Sequence, residues 1–580
     1  MVVAVELKQR LWRPSPWRAR WAAAGVMVGA AALFLARLGA RALWSSEGRW
    51  AEIVREMRLT GNYFWPTING HLYFDKPLLS YWLILAATPL TGGASETAAR
   101  IPSALAGWLG VVVLMVLGRR LYDRGTAAVA GLILATSYSY VFFSRHAAAD
   151  VETVTGTLAA IWLFAAGWPR PQGWWLMLFW PVMALTSLTK GLIGFALPLA
   201  VCGSYSIIEP GSAELRRHLG QGSAVARLRW LSGRLRWLFN LKSVLAIALG
   251  LLIYWLPFAA SQARSHSDAG IYMVFRENLV RYFAPFDHRG PIYLYVEAIF
   301  VLMAPWALFL PAALVQRHRR LAEQPIRGGI KSELFVLTYF WATFIFFTLS
   351  RSRRSYYLLP ILPAAALLVA RTLRDYADSM VPMARRLMQL GFAILMLGVV
   401  IGGIGYLLPP SWRVGSLRLL PASPDRALFA ILWLIALAVA VGASLKCEPR
   451  RVALATGVIA YAGMFFLFVF AMPAAEPYRT ERAFARAVRV EVGSQAPADL
   501  ALYRLWGPGL VYYLAMPKPI PQFDNPAALQ AYARARGGLW VITRGLDRAA
   551  VGGRVVLREP LMAWDPPSEA RGRYLLLHLP

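Results

Sequence analysis

Two short stretches carry an unusual density of acids and bases for a chain that is 58% hydrophobic. Trp44-Ser-Ser-Glu-Gly-Arg-Trp-Ala-Glu-Ile53 offers Glu47 and Arg49, and Asn69-Gly-His-Leu-Tyr-Phe-Asp-Lys-Pro77 offers Tyr73, Asp75 and Lys76. Carboxylates suit base work or metal ligation. Arginine suits a phosphate through its bidentate fork, and lysine suits it as a point charge. More of the same chemistry follows along the chain. Asp150 comes after Ser144-Arg-His-Ala-Ala-Ala, Lys190 closes Thr186-Ser-Leu-Thr-Lys, and Arg276, Glu277, Arg281 and His288 fall within 275–290. Arg353, Tyr356 and Tyr357 lie in a further polar break. Brought together, such residues could bind an anionic lipid head group and manage a proton.

Each residue also has a plainer reading. Glu52 and Arg55 read as a surface pair on a helix. Arg353 and Arg354 could meet lipid phosphates, His288 reads as an exposed loop residue, His71 as a turn residue, and Asp75-Lys76 as a local ion pair. Asp150 is hardest to explain away, because its neighbours are small and apolar.

The elements that must position these groups are membrane helices. Mean hydropathy is +0.48 over 580 residues, and apolar runs long enough to cross a bilayer recur from Trp21 to Phe470. About thirteen spans are expected, near 21–39, 103–118, 126–142, 152–167, 173–188, 190–207, 243–260, 294–315, 332–349, 356–371, 385–407, 426–445 and 452–471. The segment 78–92 is also apolar. Basic residues at Lys8, Arg10, Arg13, Arg18 and Arg20 place the N-terminus in the cytoplasm. If 78–92 crossed, Arg119, Arg120 and Arg124 would land outside, so it is read as interfacial or re-entrant. The basic loop 209–242 and Arg317, Arg319, Arg320, Arg385, Arg386, Arg450 and Arg451 then all fall inside. The acids and bases of the first paragraph share the outer face.

The expected architecture is thus an all-α polytopic membrane domain over 1–471, with a first outer loop over 40–102. A small outer α/β domain follows over 472–580. Leu500-Ala-Leu-Tyr-Arg, Gly538-Leu-Trp-Val-Ile-Thr543 and Arg573-Tyr-Leu-Leu-Leu-His578 read as strands, and Thr480–Val492 as an amphipathic helix. The net charge of +31 fits cytoplasmic loops of a membrane protein and not nucleic-acid binding. Cys202 and Cys447 lie at or near span ends and form no disulfide framework or zinc knuckle. No P-loop or dinucleotide fingerprint appears. A transporter or flippase would explain the spans, but not the crowding of polar residues on one face or the folded outer domain.

The two loop motifs, with Thr189-Lys-Gly191, Glu277-Asn278-x-x-Arg281 and Tyr356-Tyr-Leu-Leu-Pro360, resemble bacterial GT-C membrane glycosyltransferases of the protein O-mannosyltransferase superfamily, most of all the aminoarabinose (lipid A) transferase branch. That resemblance implies an inverting transfer of a sugar, 4-amino-4-deoxy-L-arabinose in this branch, from undecaprenyl phosphate to a periplasmic acceptor. The acceptor would be lipid A phosphate or another envelope glycan, and the enzyme would sit in the bacterial inner membrane. It implies catalytic roles for Asp150, Asp75, Lys76 and Glu47. Arg49, Tyr73, Lys190, Arg276, Glu277, Arg281, His288, Arg353, Tyr356 and Tyr357 would bind substrate or phosphate. No cofactor is required, although a divalent cation (Zn, Mg or Mn) on Asp75 stays open. Two departures stand out: the family's first acid is Ser46 here, and its loop Glu is Asp75. An already anionic phosphate acceptor needs less help from a base than a hydroxyl does, so Ser46 favours a phosphate acceptor, or a transfer of the base role to Glu47 or Asp150.

Overall fold

Apolar segments of bilayer length, separated by short polar breaks, fold as helices that run back and forth, because inside lipid each backbone N–H and C=O must be satisfied within its own segment. The computed structural model describes residues 16–560 and 572–580 apart from 45, 169–172, 221–222, 239, 285–286, 324–329, 376–378, 408–429, 432, 436–448, 475–480 and 494–498. Two compact units divide the chain. The first comprises 1–37, 75–80 and 102–471, and the second 38–74, 81–101 and 472–580.

The first unit is helical. Among the described residues six helices are long and apolar enough to cross a membrane, or eight if each of two bent pairs counts as one span. Shorter apolar helices cover Ala19–Leu35 and Ile193–Ile208. A helix stands at each expected span except 426–445, which lies largely outside the described residues, as does Cys447. Two expected continuous spans are broken. Arg124–Ala135 and Tyr138–Ser144 meet at 69°, and Leu294–Leu302 and Trp306–Leu321 at 118°. Thr136 and Ser137 turn their hydroxyls back onto the carbonyls of Leu132 and Ile133 at the first break, a bond that bends helices. Pro305 sits at the second break and cannot donate to the helical ladder.

The helices Asp150–Gly167 and Trp174–Lys190 form a hairpin. Its crossing is close because Gly156 faces Thr186, where a methyl group would overlap the threonine side chain. Small residues let membrane helices approach in this way. Closure brings the first residue of one helix beside the last residue of the other. Asp150 thus stands at a helix N-terminus and Lys190 at a C-terminus, each on the end that suits its charge. Gly191 ends the second helix with φ 105°, a region side chains rarely adopt.

In the second unit a five-stranded mixed sheet is flanked by helices. With β1 (Thr67–Ile68) and β2 (His71–Leu72) forming a small hairpin, the sheet strands are β3 (Leu500–Tyr503), β4 (Gln522–Phe523), β5 (Leu539–Arg544), β6 (Arg554–Arg558) and β7 (Tyr574–Leu579), in the order β4-β3-β5-β7-β6. β3 runs parallel to β4 and β5, while β7 runs antiparallel to β5 and β6. The alternation of a strand sorts its side chains. Leu500, Leu502, Ile542 and Leu576 meet Phe484 and Val488 of the helix Glu481–Val492, and Ala501, Val541 and Leu577 meet Leu529 and Ala533 on the other face. Three of these strands and the helix stand where the sequence put them. The helix Glu47–Thr60 packs on Pro508–Leu514, where Gly48 and Gly509 touch with no room for a side chain.

Candidate active site

In the helical unit, one connected set of charged groups gathers most of the residues singled out by sequence. Lys76 donates to the Asp75 carbonyl at 2.7 Å and lies 3.4 Å from its carboxylate. On its far side stands Glu277, at 3.9 Å. Glu277 pairs with Arg281, one turn on, and Arg281 reaches Asp287 at 2.8 Å. His288 Nε2 lies 3.0 Å from the same carboxylate. Burial first, then the charge of Arg354, holds the His288 pKa below that of an ordinary imidazole, against the pull of Asp287.

The hairpin supplies the second half. Lys190 pairs with Asp150, and its ammonium lies 5.3 Å and 5.2 Å from the ring centres of Tyr356 and Tyr357, within cation–π range. Arg354 donates to the Tyr356 hydroxyl at 3.0 Å. A clamp ties the two halves together. Asn278 Oδ1 accepts the Leu192 N–H at 2.7 Å, while its Nδ2 donates to the Val274 carbonyl at 2.8 Å. The segment expected as a loop over 275–290 is therefore helical in its first part, with a π-turn over Phe275–Val280. Such wide turns are frequent at functional sites.

Arg353, expected to contact a phosphate, is held by backbone carbonyls. Its guanidinium donates to the carbonyls of Gly290 and Thr348, both at 2.9 Å, and its N–H donates to the His288 carbonyl. Arg276 is exposed. The expected local pair Asp75–Lys76 exists, but it is one link of the larger network.

The second unit holds the remaining candidates. Glu47 is fully buried. Arg100 donates to both of its carboxylate oxygens at 2.7 and 2.8 Å, with Arg41 at 3.2 Å and the Trp44 N–H at 3.0 Å. Arg100 also donates to the carbonyls of Leu38, Arg41 and Ala42. Arg49 donates to the Tyr73 hydroxyl at 3.2 Å. Glu52 and Arg55 do pair, through two bonds of 2.7 Å, but the pair is buried and not at the surface. His71 lies exposed on β2, just after the Asn69-Gly70 turn, where both residues have positive φ, as a tight hairpin requires.

Sequence reasoning missed Asp287, the clamp role of Asn278, the hydrogen bond from Ser80 to Glu152, and Arg100 as the partner of Glu47. A lone arginine at the start of a long apolar run was the available signal for the last, since an ionisable group there calls for a partner. For a metal the fit is poor. Among the described residues no three His, Cys, Asp or Glu side chains converge, and the Lys76 ammonium stands between the carboxylates of Asp75 and Glu277.

Known proteins resemble this chain in sequence and in fold. The sequence profile of the dolichyl-phosphate-mannose-protein mannosyltransferases matches residues 75–237, the stretch with Asp75, Lys76, Asp150 and Lys190. Undecaprenyl phosphate-alpha-4-amino-4-deoxy-L-arabinose arabinosyl transferase 1 of Pseudomonas fluorescens Pf-5 is 28% identical over 368 residues, 61% of this chain and 60% of the relative. The corresponding transferase of Pseudomonas paraeruginosa is 28% identical over 382 residues, 63% of each chain. The chain therefore matches about three fifths of the length of these relatives. The crystal structure of ArnT from Cupriavidus metallidurans bound to undecaprenyl phosphate superposes with a TM-score of 0.71 at 20% identity, covering 97% of this chain and 98% of that one. The resemblance seen in the motifs is borne out, and the chain is a polytopic membrane protein with the GT-C fold.

Proposed function

We propose that this protein is an inverting glycosyltransferase of the bacterial inner membrane, moving 4-amino-4-deoxy-L-arabinose from undecaprenyl phosphate to a phosphate of lipid A on the periplasmic side. The observation that carries the reading is the joined network Lys76–Glu277–Arg281 and Asp150–Lys190, in a fold shared with a protein that binds undecaprenyl phosphate. In one displacement, an oxygen of the acceptor phosphate attacks the anomeric carbon while the bond from that carbon to the donor phosphate breaks. The electron pair leaves on undecaprenyl phosphate. Lys76 and Arg281 neutralise that leaving charge, since preorganised cations act where charge develops. Lys190 serves the acceptor phosphate, and Asp150 faces the positive charge growing on the sugar ring. Ser46 in place of an acid agrees with an acceptor that arrives ionised. Tyr356 and Tyr357 hold Lys190 in place. Lys76 between two carboxylates favours a reaction without a divalent ion. The N-terminus is cytoplasmic and the site and the C-terminal α/β domain periplasmic, on the charge bias of the loops.

The test is mass spectrometry of lipid A from cells with and without the protein, with Asp150→Ala as control. The expected result is an increment of one aminopentose that needs the intact protein. No increment would move the acceptor to a protein or polysaccharide hydroxyl, the second reading, which the mannosyltransferase profile supports.

A further inference from the structure

We propose that Glu152 is the carboxylate that recognises the ammonium group of the donor's sugar, a specificity-determining contact that rests on the aminoarabinose reading above. Four other carboxylates of the helical unit's site each face a cation: Asp75 faces Lys76, Asp150 faces Lys190, Glu277 faces Arg281, and Asp287 faces Arg281. Glu152 does not. It lies in the first turn of the helix that begins at Asp150, is 8% exposed, and among the described residues takes a hydrogen bond from the Ser80 hydroxyl on one oxygen.

An ionisable group held in a membrane helix without a counter-charge is costly, and marks a place where a ligand or a proton supplies what is missing. Ser80 orients the carboxyl by occupying one oxygen and leaves the other to an incoming donor. Its position matters as well. Ser80 follows Lys76 by four residues in the same short segment, and Glu152 follows Asp150 by two. Glu152 is thereby linked through Ser80 to the segment that carries Lys76, and it is near enough to Asp150 for the two carboxylates to feel each other's charge. A sugar held between Lys76 and Asp150 would bring a ring substituent within reach of Glu152. An amine on that ring is an ammonium ion at neutral pH, and a carboxylate is its natural acceptor.

The experiment compares two donors with the purified full-length protein in lipid nanodiscs: undecaprenyl phosphate carrying the 4-amino sugar, and the same donor with its amine acetylated and so uncharged. A charged hydrogen bond predicts that the wild type favours the free amine by about ten- to a hundredfold in kcat/KM. Glu152→Gln keeps the shape and the bond from Ser80 but loses the charge, and should bring that ratio to within about threefold of unity, mostly through KM. Glu152→Asp should keep a preference, and serves if the Gln variant fails to fold: an Asp variant with wild-type stability and no preference overturns the proposal. A Gln variant that keeps the full preference overturns it too, and leaves the transferase reading standing. Failure of the wild type to transfer either sugar overturns both together.

Discussion

Lys76 is the residue on which the chemistry most depends. Its ammonium is held by the Asp75 carbonyl and lies between two carboxylates, so it is fixed in place before any donor arrives. Loss of one preorganised charge of this kind costs about 10²–10³ in rate. Lys76→Ala is therefore expected to lower kcat by that factor in a donor-transfer assay, with a normal unfolding temperature. Because that ammonium already pairs with the carboxylates of Asp75 and Glu277, treatment with EDTA is expected to leave the rate unchanged. Activity lost to EDTA and restored by zinc or manganese would refute this. Glu47 makes the contrast. Both of its oxygens are already occupied by Arg100, and breaking a buried ion pair by removing one charge costs about 3–5 kcal/mol. Glu47→Gln should thus lower the unfolding temperature together with activity, whereas Asp150→Asn, where the pair with Lys190 is partly exposed, should lower activity with a much smaller thermal shift.

At the scale of elements, the site depends on where helices stop. Lys190 occupies the end of its helix because Gly191 adopts a left-handed turn and Asn278 takes the next free N–H. A methyl group at 191 would run into Asn278 Oδ1, and φ 105° is itself strained for alanine. Gly191→Ala should therefore destabilise the protein by about 1–3 kcal/mol and cut transfer. Asn278→Ala should cut transfer with a smaller thermal shift, because it releases the Lys190 turn without adding strain. Both are checked by thermal unfolding beside a transfer assay. Such details lie beyond hydropathy, which locates apolar runs but not their bends. It placed the hairpin that presents Asp150 and Lys190, yet it read 126–142 and 294–315 as continuous. Pro305 within the second run was a visible warning. The strands show the same limit. β3, β5 and β7 are long or strongly apolar and were legible, whereas β4 is two residues and β6 is only partly buried, leaving little alternation to detect. Residue types that do chemistry were legible because charge is rare in this chain. Their pairings were not, since Lys76 with Glu277 and Asp150 with Lys190 are set by folding across long separations.

At the largest scale, the stability of the second unit should depend on pH. In the second unit, two carboxyls that lie away from any membrane span, Glu52 and Glu481, have their pKa raised by burial. Burial pushes Glu52 up to about 7, against the opposing pull of Arg55, and burial likewise raises Glu481, whose carboxylate accepts from the Tyr574 hydroxyl at 2.6 Å. A carboxyl whose folded pKa lies above its unfolded value binds its proton more tightly when folded. Its contribution is complete below the unfolded pKa, and is lost as pH rises through the folded one. For Glu52 that window runs from 4.5 to about 7, and the shift corresponds to a loss on the order of 3 kcal/mol. The unit containing the first-loop residues 38–74 should therefore be most stable in mild acid and weaken towards pH 8. Glu52→Gln cannot ionise and should remove most of that slope. Differential scanning calorimetry of the intact protein from pH 5 to 8 provides the check. The wild type should lose several degrees more than the Gln variant between those limits, and equal slopes would show that Glu52 stays ionised throughout, held by Arg55 against its burial.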